Sequence, residues 1–178
     1  MRKLSNEELD RLDVASFKKA SKIPLLLILD NVRSLHNIGS VFRTADAFLV
    51  EKIYLCGITA KPPHKDIHKT ALGATESVAW EYWENTLDLV TTLEQQGVII
   101  SAVEQAEGSV MLNNFNILPH QTHAFVFGHE VKGVAQEVVS ACHHVVEIPQ
   151  FGTKHSLNVS VSAGLAIWEF WTRWQQTP

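Results

Sequence analysis

The sequence lacks the features that identify several common protein classes. Its 178 residues include two cysteines, Cys56 and Cys142, which are too few for a disulfide framework, and no CxxC spacing indicates a zinc site. No apolar run reaches the roughly 18 residues of a membrane span, and the N-terminus has no apolar signal-peptide stretch. We therefore expect one cytoplasmic domain over residues 1–178, with reduced thiols, no bound metal and no membrane contact.

Several motifs of nucleotide and hydrolase chemistry are also absent. There is no Walker P-loop, no G-x-S-x-G elbow and no HExxH. The first predicted strand is not followed by GxGxxG, which counts against a dinucleotide-binding fold and against the common glycine-rich methyltransferase fold.

Positive charge is missing from the middle of the chain. Residues 70–131 contain no Lys or Arg and eight acids, whereas residues 1–69 contain 12 of the 15 basic residues and eight acids. This asymmetry permits a basic face on a protein whose net charge is −4. The alternative is a chance distribution over a solvated surface.

The hydrophobic pattern predicts an α/β domain with a mainly parallel sheet and helices on both faces. We predict strands at 25–29, 52–56, 98–103, 123–127 and 144–148, and a weaker one at 78–83. We predict helices at about 38–49, 65–71, 86–96, 133–141 and 158–174. Residues 5–21, with a capping box of Ser5 and Glu8, predict a helix within a short N-terminal extension over residues 1–23.

Small and polar residues follow the first strand, where a core would not need them. Asn37 is suited to cap a helix, and Gly39 and Ser40 leave room for a backbone or ligand. Arg43 carries a rigid guanidinium fork that suits a phosphate. The alternative is a capped helix with a solvated arginine.

Two later segments have the same character. Gly128 and Gly133 permit a tight loop around Glu130, and polar Ser156 and Asn158 precede the last helix. A plain strand–turn–helix and a capping cluster are the alternatives. Because ligand sites in parallel sheets lie beyond the carboxyl ends of the strands, we expect these segments to converge.

The segments 37–43, 128–133 and 148–160, in this order, resemble the three motifs of the SpoU/TrmH family of RNA ribose 2′-O-methyltransferases, within the SPOUT superfamily. The resemblance runs from about residue 24 to the C-terminus. It implies a C-terminal trefoil knot that holds S-adenosylmethionine, and a homodimer. The implied cofactor-binding residues are Val103, Glu104, Gly128, Ile148 and Leu157, with Val103 and Glu104 contributing backbone groups. The implied catalytic residues are Arg43, Asn37, Glu130, Ser156 and Asn158.

The substrate that this resemblance implies is RNA, because only RNA carries a 2′-hydroxyl. Candidate RNA contacts are Arg33, Lys18, Lys19 and Lys65, together with Lys61, His64, His68 and Lys69 near Lys65. The small size slightly favours tRNA over rRNA. The alternative function is a non-catalytic RNA-binding protein on the same knotted fold, for which loss of Arg43, Glu130 or Asn158 would be expected.

Overall fold

A seven-stranded parallel sheet forms the centre of the structure, a computed structural model that describes residues 1–5, 7–118 and 120–176. Its strands are β1 (Ile23–Asp30), β2 (Val50–Cys56), β3 (Ala79–Trp83), β4 (Ile99–Val103), β5 (Val110–Met111), β6 (His123–Phe127) and β7 (His144–Glu147). They lie in the order β3-β2-β1-β6-β4-β7-β5, and each neighbouring pair is parallel. The prediction of a parallel α/β sheet is confirmed.

Helices cover both faces of the sheet. They are α1 (Val14–Lys19), α2 (Leu35–Ala47), α3 (Lys65–Ala71), α4 (Ala74–Ser77), α5 (Thr86–Gln95), α6 (Gln136–Ala141) and α7 (Val159–Gln175). One apolar core joins α1, α2, α3, α4 and α7 to the sheet, and a second joins α5 and α6 to its other face. The central strand β1 faces both cores, because Leu25, Leu27 and Leu29 enter the first and Leu26 and Ile28 the second.

The predicted strands and most helices match the structure within a few residues. The short strand β5 was not predicted, because its two residues are exposed and carry no periodic signal. The trefoil knot stays a prediction of the family resemblance. No helix within the described ranges is long and apolar enough to cross a membrane.

The N-terminal helix predicted over residues 5–21 is wrong. The Ser5 N–H donates to the Glu8 carboxylate at 2.7 Å, as a capping box requires, but this contact closes only a 3-10 turn over Glu7–Leu9. Asp10 then takes a left-handed conformation with φ of 47°, which breaks a helix, and Asp13 caps the short α1 instead. The exposed turn buries no side chain, so packing does not extend the helix.

The chain changes direction across the sheet at β1. The connections through β2 and β3 move to one side of β1, while β4, β6 and β7 lie on the other. Such a switch opens a crevice at the carboxyl ends of the strands, where parallel sheets place their ligands. The segments after β1, β4, β6 and β7 meet at this edge.

Candidate active site

A hydrogen-bond network joins three segments that are far apart in the sequence. The Glu130 carboxylate accepts from the backbone N–H groups of Ser34 at 2.9 Å and Arg33 at 3.1 Å. It also accepts from the Asn37 side-chain amide at 3.1 Å. The Asn37 carbonyl oxygen in turn accepts from the Asn158 side-chain amide at 3.1 Å. Asn37, in the first turn of α2, thus ties the loop after β6 to the start of α7.

The capping roles in this network differ in part from the predicted ones. Asn37 does not cap α2; Ser34 does, and its hydroxyl accepts from the Asn37 N–H at 3.3 Å. The prediction failed because Ser34 and Asn37 are both good caps and only three residues apart. The predicted start of the last helix is confirmed, since Asn158 caps α7 and accepts from the Ser160 N–H at 2.9 Å.

The Glu130 carboxylate is held in its charged form. Burial raises its pKa, but the backbone N–H groups of Arg33 and Ser34, its own backbone N–H and the Asn37 amide together lower the pKa below the ordinary 4.5. The negative charge also lies at the N-terminus of α2, where the helix dipole favours it. With so many donors bound, Glu130 is suited to fix geometry and poorly suited to take up a proton.

Beside this network lies a cavity of about 440 Å³ at the carboxyl ends of β4, β6 and β7. All five residues predicted to bind the cofactor line it, namely Val103, Glu104, Gly128, Ile148 and Leu157. Ser156 and Glu130 line it as well. The structure therefore brings these seven residues together, and the roles assigned to them stay predictions.

Gly128 serves a close approach of two backbone segments. A Cβ atom built on Gly128 would lie 2.1 Å from the carbonyl carbon of Gly133 and 2.1 Å from the nitrogen of Val134. Gly133 itself has a φ of 68°, which favours glycine. The loop over 128–134 can fold back on itself only because both positions lack a side chain.

The Glu104 carboxylate holds the loops of the cavity, and its backbone N–H is engaged within the sheet. Its backbone N–H donates to the Val146 carbonyl and is therefore occupied. Its carboxylate accepts from the N–H groups of Val134 at 3.1 Å and Gln105 at 3.0 Å. The Gln105 side chain donates to the His155 carbonyl at 2.9 Å. The end of β4 thus holds both loops that wall the cavity.

Arg43 lies apart from this cavity. It is exposed on α2 and lines a separate cavity of about 300 Å³ between the start of α1, α2 and residues 71–77. Within the described part of the chain, no hydrogen bond or ion pair involves its guanidinium. Arg43 follows Asn37 by six positions, which is about 9 Å along a helix and a rotation to a different face. One chain alone therefore does not join Arg43 to the other predicted catalytic residues.

The predicted RNA contacts lie in three places. Arg33 lines a cavity of about 290 Å³ that shares His129, Glu130 and Val131 with the larger one. Lys18 and Lys19 are exposed at the end of α1. Lys65 is exposed at the start of α3.

Two site residues were missed in the sequence. The His129 ring nitrogen Nδ1 accepts from the N–H groups of Val131 at 3.0 Å and Lys132 at 3.3 Å, and so shapes the loop. Gln105 braces the opposite loop, as described above. The available signal was position alone, because His129 lies between Gly128 and Gly133, and Gln105 is the second residue after the end of β4.

The two cysteines, Cys56 and Cys142, are unreactive free thiols. Burial raises the pKa of both Cys56 and Cys142 to about 12, so each stays a neutral thiol at ordinary pH. Among the described residues, no group of three or more His, Cys, Asp or Glu side chains is arranged to hold a metal ion.

Comparisons with known proteins agree on one family. The model of the SpoU rRNA Methylase family matches residues 24–168. The 23S rRNA (guanosine-2′-O-)-methyltransferase RlmB of Neisseria meningitidis is 36% identical over 84% of this chain. The chain spans 58% of the length of that relative.

Solved structures show the same fold. A TrmH/SpoU tRNA modifying enzyme of A. aeolicus superposes with a TM-score of 0.78 and 27% identity, over 92% of this chain and 80% of the other. An AdoMet-bound rRNA methyltransferase of Sinorhizobium meliloti gives a TM-score of 0.80 and 25% identity, over 88% of this chain and 60% of the other.

Proposed function

The chain belongs to the SpoU rRNA Methylase family, and on this premise we propose that it transfers a methyl group from S-adenosylmethionine to a ribose 2′-hydroxyl of RNA. One observation carries the proposal: three segments distant in sequence meet at the carboxyl edge of the sheet, tied by Asn37, Glu130 and Asn158 beside a cavity. A purely structural network would not need an open cavity of this size next to it.

The residues that line the cavity fit S-adenosylmethionine. Val103, Ile148 and Leu157 offer apolar surface for an adenine, and the cavity volume of about 440 Å³ is within the usual range for small-molecule sites. The Glu104 carboxylate places a negative charge in a cavity that would receive a cationic sulfonium. When bound, the cofactor supplies an electrophilic methyl group.

The chain must orient a weak nucleophile. A ribose hydroxyl reacts poorly until its proton is taken, and an arginine normally remains protonated. We therefore assign Arg43 to holding an RNA phosphate and the hydroxyl in place through its guanidinium fork. Glu130 and Asn158 fix the loops around the reacting atoms, and Ser156 adds a hydroxyl at the cavity wall.

The position of Arg43 supports a homodimer. On α7 the exposed side chains of Val161, Leu165 and Trp168 form an apolar stripe, with exposed fractions of 50%, 42% and 52%. Trp168 packs edge-on against Phe48, the residue that ends α2, so the stripe extends towards the helix that carries Arg43. A second copy bound symmetrically on this face would cover the stripe. We propose that it also brings Arg43 of one chain to the cavity of the other.

We propose that the RNA substrate is ribosomal RNA. The relative from Neisseria meningitidis is named for 23S rRNA, and so is a relative from Nitrosomonas europaea that is 34% identical. The preference for tRNA stays a prediction, and the A. aeolicus structure, named for tRNA modification, keeps it open to test.

The test combines cofactor binding with the position of the methyl group. Titration calorimetry should show S-adenosylmethionine binding to the wild-type chain and loss of binding in Leu157→Arg, whose exposed side chain can change without disturbing the core. Radiolabelled methyl transfer to total RNA should create linkages that resist alkaline hydrolysis, because a methylated 2′-oxygen cannot attack its phosphate. No binding at millimolar cofactor, or label only on bases, would contradict the proposal.

A further inference from the structure

A second groove, distinct from the cofactor cavity, lies between α3 and the edge strand β3. Its volume is about 510 Å³. The apolar part of its lining comes from Pro62, Pro63, Ile67 and Trp80. Trp80 is only partly buried, and β3 has no neighbouring strand on its outer side among the described residues. The groove is therefore open to solvent along an aromatic surface.

Cationic and imidazole side chains surround this aromatic surface. His64, Lys65 and His68 line the groove and are exposed. Lys61 lies over the ring of Tyr82, with 4.1 Å between its ammonium nitrogen and the ring centroid. Trp80 and Tyr82 are two residues apart on β3 and point to the same side of the sheet. Aromatic rings interleaved with positive charge suit single-stranded nucleic acid, because bases stack on the rings while cations meet the phosphates.

Two further side chains add polar groups to the groove. The His64 nitrogen Nδ1 accepts from the Asp66 N–H at 3.2 Å, so Nε2 is the ring nitrogen left to meet a ligand. Glu76 also lines the groove, and its carboxylate can accept from the amino group of a base. Glu76 lines the cavity that contains Arg43 as well, so the groove and that cavity are neighbours.

From these observations we propose that the groove binds an unpaired nucleotide of the RNA, next to the one that is methylated. Its base stacks on Trp80, and its phosphates lie against Lys65 and His68. The inference rests on the proposed function for the identity of the ligand, and it adds a binding site outside the three motif segments. The groove would hold a single-stranded part of the substrate while Arg43 holds the phosphate at the reacting nucleotide.

The test measures RNA affinity separately from cofactor affinity. The probe is a fluorescein-labelled single-stranded oligouridylate of about twelve nucleotides, titrated by anisotropy at several salt concentrations. Trp80→Ala should weaken binding roughly fivefold to a hundredfold, because stacking of one base is lost. Trp80→Phe keeps an aromatic ring and should retain most of the affinity. Lys65→Gln combined with His68→Ala should lower the salt slope by about 0.7, because one phosphate contact of a single strand disappears.

A matched control is available on the opposite face of the sheet. Lys52 belongs to β2 and pairs with Glu81 at 3.2 Å, away from the groove. Lys52→Gln removes the same charge and should leave affinity and salt slope unchanged. Unchanged RNA affinity in both the Trp80→Ala and the Lys65→Gln, His68→Ala variants would overturn the proposal, and so would equal losses in Lys52→Gln.

Cofactor calorimetry separates the two proposals. If the wild-type chain binds S-adenosylmethionine and RNA while the groove variants bind RNA equally well, the groove proposal fails alone. If the wild-type chain binds no S-adenosylmethionine, the proposed function fails instead. The groove variants themselves should bind the cofactor with wild-type affinity, because none of the substituted residues lines that cavity.

Discussion

Asn37 and Arg43 lie on the same helix, six residues apart, and have opposite surroundings. The Asn37 side chain is largely buried and bonded to both Glu130 and Asn158. Arg43 is exposed and lines a different cavity. The network and its cavity are thus assembled within one chain, whereas Arg43 joins them only if a second copy brings it there, as proposed above.

The largest expected effect concerns Arg43. Arg43→Lys keeps the charge and loses the two-pronged guanidinium, so we expect methyl transfer to fall roughly 100-fold. The free energy of unfolding should not change, because the side chain is exposed. The measurement is single-turnover methyl transfer, with Arg11→Lys as the control for an exposed arginine elsewhere. Normal turnover in Arg43→Lys would remove Arg43 from the account.

The next prediction compares Gly128, in the loop after β6, with Gly152, in the loop after β7. Gly128→Ala places a methyl group 2.1 Å from backbone atoms, and such overpacking destabilises a protein by about 1–3 kcal/mol. We also expect weaker cofactor binding, since the loop over 128–134 has to move. Gly152→Ala meets nothing within 4 Å and is the matched control. Urea unfolding and calorimetry of both variants check this, and equal behaviour of the two would contradict the close approach.

Glu130→Gln tests the network that holds Asn37. The amide cannot accept from all the donors that the carboxylate serves, so we expect a loss of about 1–3 kcal/mol in the free energy of unfolding at pH 7. Because the folded-state pKa of Glu130 lies below 4.5, its contribution is present above pH 4.5 and disappears as the pH falls through the folded-state pKa. The difference between wild type and variant should therefore shrink at acidic pH. A difference that stays constant from pH 7 to pH 3 would contradict this assignment.

The smallest effect concerns the exposed end of α1. Replacing Lys18 and Lys19 with Gln should leave catalysis on bound RNA unchanged and weaken RNA binding in a salt-dependent way. Each lost phosphate contact lowers the salt slope by about 0.7 for a single strand. An unchanged slope in the double variant would exclude both lysines from RNA binding.

Much of the sheet was predictable because its strands are short apolar runs bounded by polar residues. β1 and β6 are buried along almost their whole length, and most of their residues are apolar. The N-terminal helix was not predictable from its capping box, because the left-handed Asp10 and the exposed side chains around it decide the outcome. Local signals fail where no packing supports them.

The site was predictable in its members and less so in their contacts. Gly128 and Glu130 stand out in sequence because small and polar residues at strand ends have no role in a core. Nothing in the sequence shows that the Glu104 backbone N–H donates to the Val146 carbonyl, or which cavity Arg43 lines. These facts depend on the register of β4 with β7 and on the packing of α2, which are set by distant parts of the chain.

The most direct test of the two-part site is complementation between two inactive variants. The Arg43→Ala variant has an intact cofactor cavity but lacks the arginine. The Leu157→Arg variant has Arg43 but a blocked cofactor cavity. If Arg43 acts across a symmetric dimer, an equal mixture after subunit exchange contains half mixed dimers, each with one intact site of two, so about a quarter of wild-type activity should return. Activity that stays at the level of the separate variants would contradict the account and place Arg43 at the cavity of its own chain.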